Sequence, residues 1–136
     1  KDIKNNTSIE IPSITNFFML FADLKNKGVN KKLIDSLKRY CKNENYLFPS
    51  MNSRHKSFEE KRYWRGPVWI NCNWIIYQGL KNKDKSFAEM IRKKTINLVE
   101  KKKFREYYSC KSGLGMGAKN FSWSAALYLD FVLNRS

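Results

Sequence analysis

The sequence carries a single histidine and three cysteines in 136 residues. His55 stands in a polar stretch with no matching ligand set, so neither a metal site nor a Ser/His nucleophile finds its material. Cys41, Cys72 and Cys110 cannot all pair with one another and show no Cys-x-x-Cys or Cys/His spacing, which excludes a disulfide framework and a zinc module. Free thiols in a reducing, cytoplasmic compartment are the expected state. Acidic residues are also scarce, 12 Asp and Glu against 27 Lys and Arg, a net charge of +15. That balance excludes an acidic tail and makes polyanions plausible contacts. Long apolar runs are missing as well. The best stretch, Val68 to Tyr77, is broken by Asn71 and Asn73 and falls short of the roughly 18 apolar residues that a bilayer span requires. The opening Lys1-Asp2-Ile3-Lys4-Asn5-Asn6 has no apolar centre of the secretory kind. No membrane partner is expected.

What is present is apolar and aromatic material, 42% and 15% of the chain. That is too much for a disordered polymer, and the length suits one domain with one core. The basic excess is mostly lysine, twenty Lys to seven Arg, with fourteen Asn. Bidentate recognition of phosphates and bases favours Arg. That weakens the polyanion reading, and a basic, non-enzymatic helical nucleic-acid-binding domain stands as the alternative function with only Lys31-Lys32 and Lys101-Lys102-Lys103 to support it.

Periodicity predicts an all-α chain. Ile14, Phe17, Phe18, Phe21 and Leu24 fall at helical spacing between Pro12-Ser13 as entrance and Gly28 as exit, predicting a helix over 13–26. A second runs from a cap at Asn30 to Tyr40 with Leu33, Ile34 and Leu37 inward. Cys41 to Arg65 reads as a long connection, and long ordered loops tend to carry function. Gly66-Pro67 opens a third helix, Val68 to Leu80, apolar nearly all round and so buried on every side. Ser86 to Lys103 is amphipathic. Phe104 to Asn120, with Gly113, Gly115 and Gly117, reads as loop. Phe121 to Asn134 is a fifth helix, buried like the third. Helices with one wet face alternate with helices apolar all round, the pattern of an inner ring wrapped by an outer ring, and five helices cannot close such a ring.

Two clusters could carry chemistry. Tyr63-Trp64-Arg65-Gly66-Pro67-Val68-Trp69-Ile70-Asn71 packs aromatic rings and a guanidinium at the mouth of a buried helix. Aromatic faces beside planar hydrogen-bonding groups suit a sugar ring; plain core packing, with Arg65 as a helix cap, is the simpler reading. Phe104-Arg105-Glu106-Tyr107-Tyr108 sets a carboxylate between a cation and two phenols that could orient it. That suits a general base, whereas a surface Glu paired with Arg105 is the simpler reading. Gly113-Leu-Gly-Met-Gly117 lacks the Gly-Lys-Ser/Thr ending of a phosphate loop.

With Asn120-Phe-Ser-Trp-Ser-Ala-Ala126 added, these strings make the chain resemble the C-terminal half of glycoside hydrolase family 63, the inverting α-glucosidases, from about Ile11 to Val132. The resemblance implies that residues 1–136 are a C-terminal portion of an (α/α)6 catalytic toroid, incomplete in this chain. It implies hydrolysis of α-glucosidic bonds in oligosaccharides or glucosides, with Glu106 as general base. Tyr63, Trp64, Arg65 and Trp69 fall on the sugar-binding wall, and Trp123 is a further lining residue. It implies no metal and no organic cofactor. The family's general acid is an Asp in a Gly- and Trp-containing motif that this sequence lacks, so the remainder of the barrel is an expected partner. A sugar-binding module that has lost catalysis is a third reading.

Overall fold

In the computed structural model, which describes residues 3–8, 10–22 and 24–133, the first regular element is a short 3-10 helix, Ile14–Leu20. Ser13 caps it by accepting from the Thr15 N–H. Its buried residues are Ile14, Phe17 and Leu20, a strict spacing of three that stacks on one face of a 3-10 helix. The α-helix expected over 13–26 is thus tighter and shorter. Phe21 is left exposed, and Asp23, inside the expected span, lies outside the described residues.

Helix α1, Lys27–Tyr40, begins earlier than its periodicity implied. Asn26, not Asn30, is the N-cap and accepts from the Val29 N–H. Gly28 therefore lies in the first turn of α1, and the capping side chain overrides its stop signal. Lys38 and Arg39 fill the last turn, where the helix dipole favours cations.

The irregular connection expected over 41–65 runs on to 69, and it is pinned. Three isolated antiparallel bridges join Ser13 to Met51, Pro49 to Val68 and Val68 to Tyr108. These bridges correct the start of the third helix. Val68 lies in two of these bridges, Trp69 is an extended N-cap, and α2 spans Ile70–Leu80. The Pro signal for a first helical position yields because Val68 exchanges both backbone hydrogen bonds with Tyr108, at 2.7 and 2.9 Å.

Helix α3, Lys85–Lys102, is capped by Asp84 and buries Phe87, Ala88, Ile91, Thr95, Leu98 and Val99. It packs on α2, where the buried Asn73 amide donates to the Thr95 hydroxyl at 3.1 Å and that hydroxyl donates to the Ile91 carbonyl. The polar Asn73 that interrupts the apolar run of α2 is thus tied to α3 through its amide N–H.

The expected loop over 104–120 is instead a hairpin. Strand β1, Arg105–Tyr108, pairs antiparallel with β2, Gly115–Lys119. Four polar and aromatic residues facing a glycine-rich strand give no period-two apolar signal, so propensity alone misses them.

Helix α4, Ser122–Leu133, is apolar as expected but not buried like α2. Only Ser124 and Phe131 are enclosed. Trp123, Leu129 and Leu133 are 48%, 54% and 74% exposed. With Ala126 they recur every three or four residues and form one continuous apolar stripe. Asn134, the expected last residue, lies outside the described residues. Among the described residues no helix is long and apolar enough to cross a membrane.

Candidate active site

The Val68–Tyr108 bridge sets the geometry, because it lays the aromatic corner ending at Trp69 against the strand that carries Glu106. Gly66 makes the approach to that bridge possible. A Cβ at this position would stand 2.2 Å from the Glu59 carbonyl oxygen, a backbone atom that cannot give way. The Gly66 N–H donates to the Ser50 hydroxyl at 3.0 Å, and Ser109 at the end of β1 hydrogen-bonds Glu60. Residues 59–66 are held at both flanks.

Within the corner, Trp64 and Trp69 lie face to face, centroids 4.2 Å apart and planes 6° from parallel. Trp69 is 2% exposed and Trp64 43%. The buried ring is a floor, and the outer ring presents its second face outward. Tyr107 stacks on Trp69 at 5.0 Å. Tyr63 stands edge-on to Trp69, Tyr107 and Trp64 at 4.7, 5.5 and 6.0 Å. Its backbone takes a positive φ of 26°, a conformation that costs a bulky residue free energy. The Trp69 indole N–H donates to the Tyr63 carbonyl at 3.1 Å and holds it there.

Glu106, half-buried on β1, receives the Tyr63 hydroxyl on Oε1 at 3.2 Å and the Ala118 N–H on Oε2 at 3.0 Å. The carboxylate and the corner therefore meet. The Tyr63 phenol titrates above its ordinary value, first through loss of solvent around it and then through the hydrogen bond to Glu106 and the charges of Glu106 and Tyr107. It stays a donor toward that carboxylate.

Other expected residues are placed differently. Arg65 turns toward its own loop, with its Nε donating to the Ser57 carbonyl at 3.2 Å and its guanidinium 3.1 Å from Glu59. Arg105 does not pair with Glu106; it reaches across β2 to the Gly117 carbonyl at 3.1 Å. Of the two phenols that follow Glu106, Tyr108 is buried and donates to the Lys103 carbonyl at 2.7 Å, while Tyr107 joins the ring stack. The orienting phenol is Tyr63 instead. Trp123 makes its ring contact with Phe121. Gly117 and Ala118 are functional candidates that the sequence did not single out, although the glycine run at 113–117 was their signal.

Among the described residues no three His, Cys, Asp or Glu side chains gather as a metal would require. A cleft of about 750 Å³ opens elsewhere, among Lys31, Ile34, Lys38, Gln78 and Lys83, and includes neither Glu106 nor any residue of the aromatic corner.

Known proteins are similar to this chain in sequence and in fold. The family model described as mannosylglycerate hydrolase MGH1-like glycoside hydrolase domain matches residues 1–124. The mannosylglycerate hydrolase of Thermus thermophilus is 37% identical over 131 residues, covering 94% of this chain and 31% of its own. Mannosylglycerate hydrolase MGH1 of Selaginella moellendorffii is 34% identical, covering 90% of this chain and 26% of its own. The crystal structure of a GH63 mannosylglycerate hydrolase from Thermus thermophilus in complex with Tris superposes with a TM-score of 0.91 at 36% identity, covering 98% of this chain and 32% of that one. The chain thus spans about a third of the length of the relatives it matches.

Proposed function

The chain belongs to the MGH1-like glycoside hydrolases of family 63, and from that premise we propose that residues 1–136 are a C-terminal portion of a catalytic domain that hydrolyses a sugar–glycerate glycoside. Its fold is a helical part of an (α/α)6 toroid with a small hairpin added. The proposed substrate is mannosylglycerate, on the strength of the relatives' names. It replaces the α-glucosidic oligosaccharide that the sequence led us to expect. The alternative of a nucleic-acid-binding domain finds no support, since the relatives reported above are hydrolases.

In the proposed mechanism Glu106 takes a proton from a water molecule while the water oxygen bonds to the anomeric carbon. The bond from that carbon to the glycerate oxygen breaks, and a second carboxyl group protonates the departing oxygen. Inversion follows, because water enters opposite the leaving group, which needs carboxyl groups roughly 6.5–9.5 Å apart. That acid comes from the remainder of the barrel. Trp64 supplies the platform for the apolar face of the sugar, Trp69 backs it from beneath and Tyr63 borders it, while the Arg65 guanidinium is engaged by its own loop and Trp123 lies on the exposed stripe of α4. No metal or organic cofactor is invoked. A reducing, cytoplasmic setting accords with the three free thiols, of which Cys72 and Cys110 are pushed up to about 12, chiefly by burial.

The observation that carries this reading is the two-sided hydrogen bonding of the Glu106 carboxylate beside an exposed tryptophan face. The complete enzyme tests it when offered mannosylglycerate, glucosylglycerate and an α-glucosidic disaccharide. The glycerate glycosides are expected to show the higher kcat/KM, and a preference for the disaccharide would return the substrate to the α-glucosides.

A further inference from the structure

The hairpin register is irregular at one place. Arg105 pairs with Lys119 and Tyr107 with Met116, so a single residue of β1, Glu106, faces two of β2, Gly117 and Ala118. A bulge of this kind takes the extra residue out of the ladder and frees its backbone groups. The freed amide here is that of Ala118, and it donates to Oε2 of Glu106 at 3.0 Å. Gly117 makes the bulge with φ of +66°. A Cβ at this position would stand 2.4 Å from that same Oε2 and 2.7 Å from the Glu106 Cβ. A side chain at position 117 and the carboxylate cannot share this space.

The other oxygen is held from across the corner. The ring of Tyr63 is committed to edge-on contacts with three aromatic neighbours, and its hydroxyl reaches Oε1. We propose that the Gly117–Ala118 bulge and the Tyr63 phenol are positioning elements, one for each oxygen, that hold the Glu106 carboxylate in the pose from which it accepts a proton from water. This rests on the reading of Glu106 as general base. A carboxylate offers about four lone-pair sites, and two donors fix its plane while leaving sites for the reacting water. Tyr63 thereby acts through Glu106 more than through the sugar.

The test uses the complete enzyme with mannosylglycerate, comparing Tyr63→Phe, Gly117→Ala and Glu106→Asp, alone and combined. A base displaced by about 1 Å can lose on the order of a hundredfold in rate. Each of the first two substitutions is expected to lower kcat by tens- to about a hundredfold with KM little changed. In the Glu106→Asp background the carboxylate is one methylene short of both donors, and neither substitution should lower kcat further. A destabilised fold would not produce this non-additivity. Losses that multiply in that background, full kcat in Tyr63→Phe, or a rise in KM alone would overturn the assignment. Should Gly117→Ala fail to fold, Tyr63→Phe decides alone, since its ring keeps every ring contact. A Glu106→Gln variant separates the two readings. Wild-type hydrolysis there removes the base itself, while loss of hydrolysis there with active Tyr63→Phe and Gly117→Ala removes only the positioning.

Discussion

The hydroxyl of Tyr63 donates to Oε1 of Glu106 at 3.2 Å across 43 positions of sequence. The contact follows from the backbone, since Val68 and Tyr108 exchange both hydrogen bonds between the two segments. The loop at 59–66 is closed by Gly66 against Glu59. The aromatic corner and the carboxylate are therefore one rigid unit, and substitutions in either are expected to be felt in the other.

The two stacked tryptophans should separate stability from binding. Trp69 is enclosed, and replacing it with Ala removes a large buried ring, which is expected to cost about 3–5 kcal/mol in urea unfolding. Trp64 contributes one face to the stack, so Trp64→Ala is expected to cost about 1 kcal/mol while raising KM for the glycoside. Equal losses of stability in the two variants would remove the distinction between floor and platform.

Asp84 gives the fold an acid limb. Its Oδ2 lies 2.7 Å from the Lys38 ammonium and its Oδ1 accepts from the Phe87 N–H, so one carboxylate ties α1 to α3 and caps α3. Chiefly the bond to Lys38, with the cap and Ser86 adding to it, holds the carboxyl below its ordinary value against an opposing desolvation. A folded-state pKa lower than the unfolded one gives stabilisation that is full above the unfolded value of about 3.9 and is lost as pH falls through the folded value. Asn caps as well as Asp. Asp84→Asn should thus keep α3 but flatten the decline in stability as pH falls below about 4, measured by urea unfolding. An unchanged slope would refute this role.

The stripe on α4 should govern association. Trp123, Ala126, Leu129 and Leu133 present an apolar face on the chain taken alone, and such faces self-associate. Sedimentation of this chain is expected to show oligomers that Leu129→Lys with Leu133→Lys reduces. In the complete enzyme the same pair should lower the unfolding temperature, because the remainder of the barrel is proposed to cover that face. Unchanged sedimentation and stability would contradict it.

Much of this was readable from residue types. The apolar run of α2, the amphipathic spacing of α3 and the Trp-Arg-Gly-Pro corner follow from patterns that local physics enforces. What escaped was decided by partners distant in sequence. Pro67 and Gly28 carry genuine signals for a helix start and a helix stop, but the Val68 bridge and the Asn26 cap override them. The hairpin gave no apolar alternation, since β2 is rich in glycine and its bulge serves the Glu106 carboxylate and not the core. Arg65 and Arg105 looked available to a sugar or to Glu106, yet Arg65 bonds the Ser57 carbonyl of its own loop and Arg105 reaches the Gly117 carbonyl. Helix α4 is more exposed than its composition predicts because apolar composition shows that a helix wants covering, not that the covering lies within the same chain.

The role of Glu106 is tested most directly by Glu106→Gln in the complete enzyme, with hydrolysis of mannosylglycerate and its binding by calorimetry measured on the same sample. The amide keeps the shape of the side chain and removes its basicity. The account predicts a fall in kcat of about a hundredfold or more, the range a general base supplies, with the glycoside still bound. Turnover at the wild-type rate would contradict it.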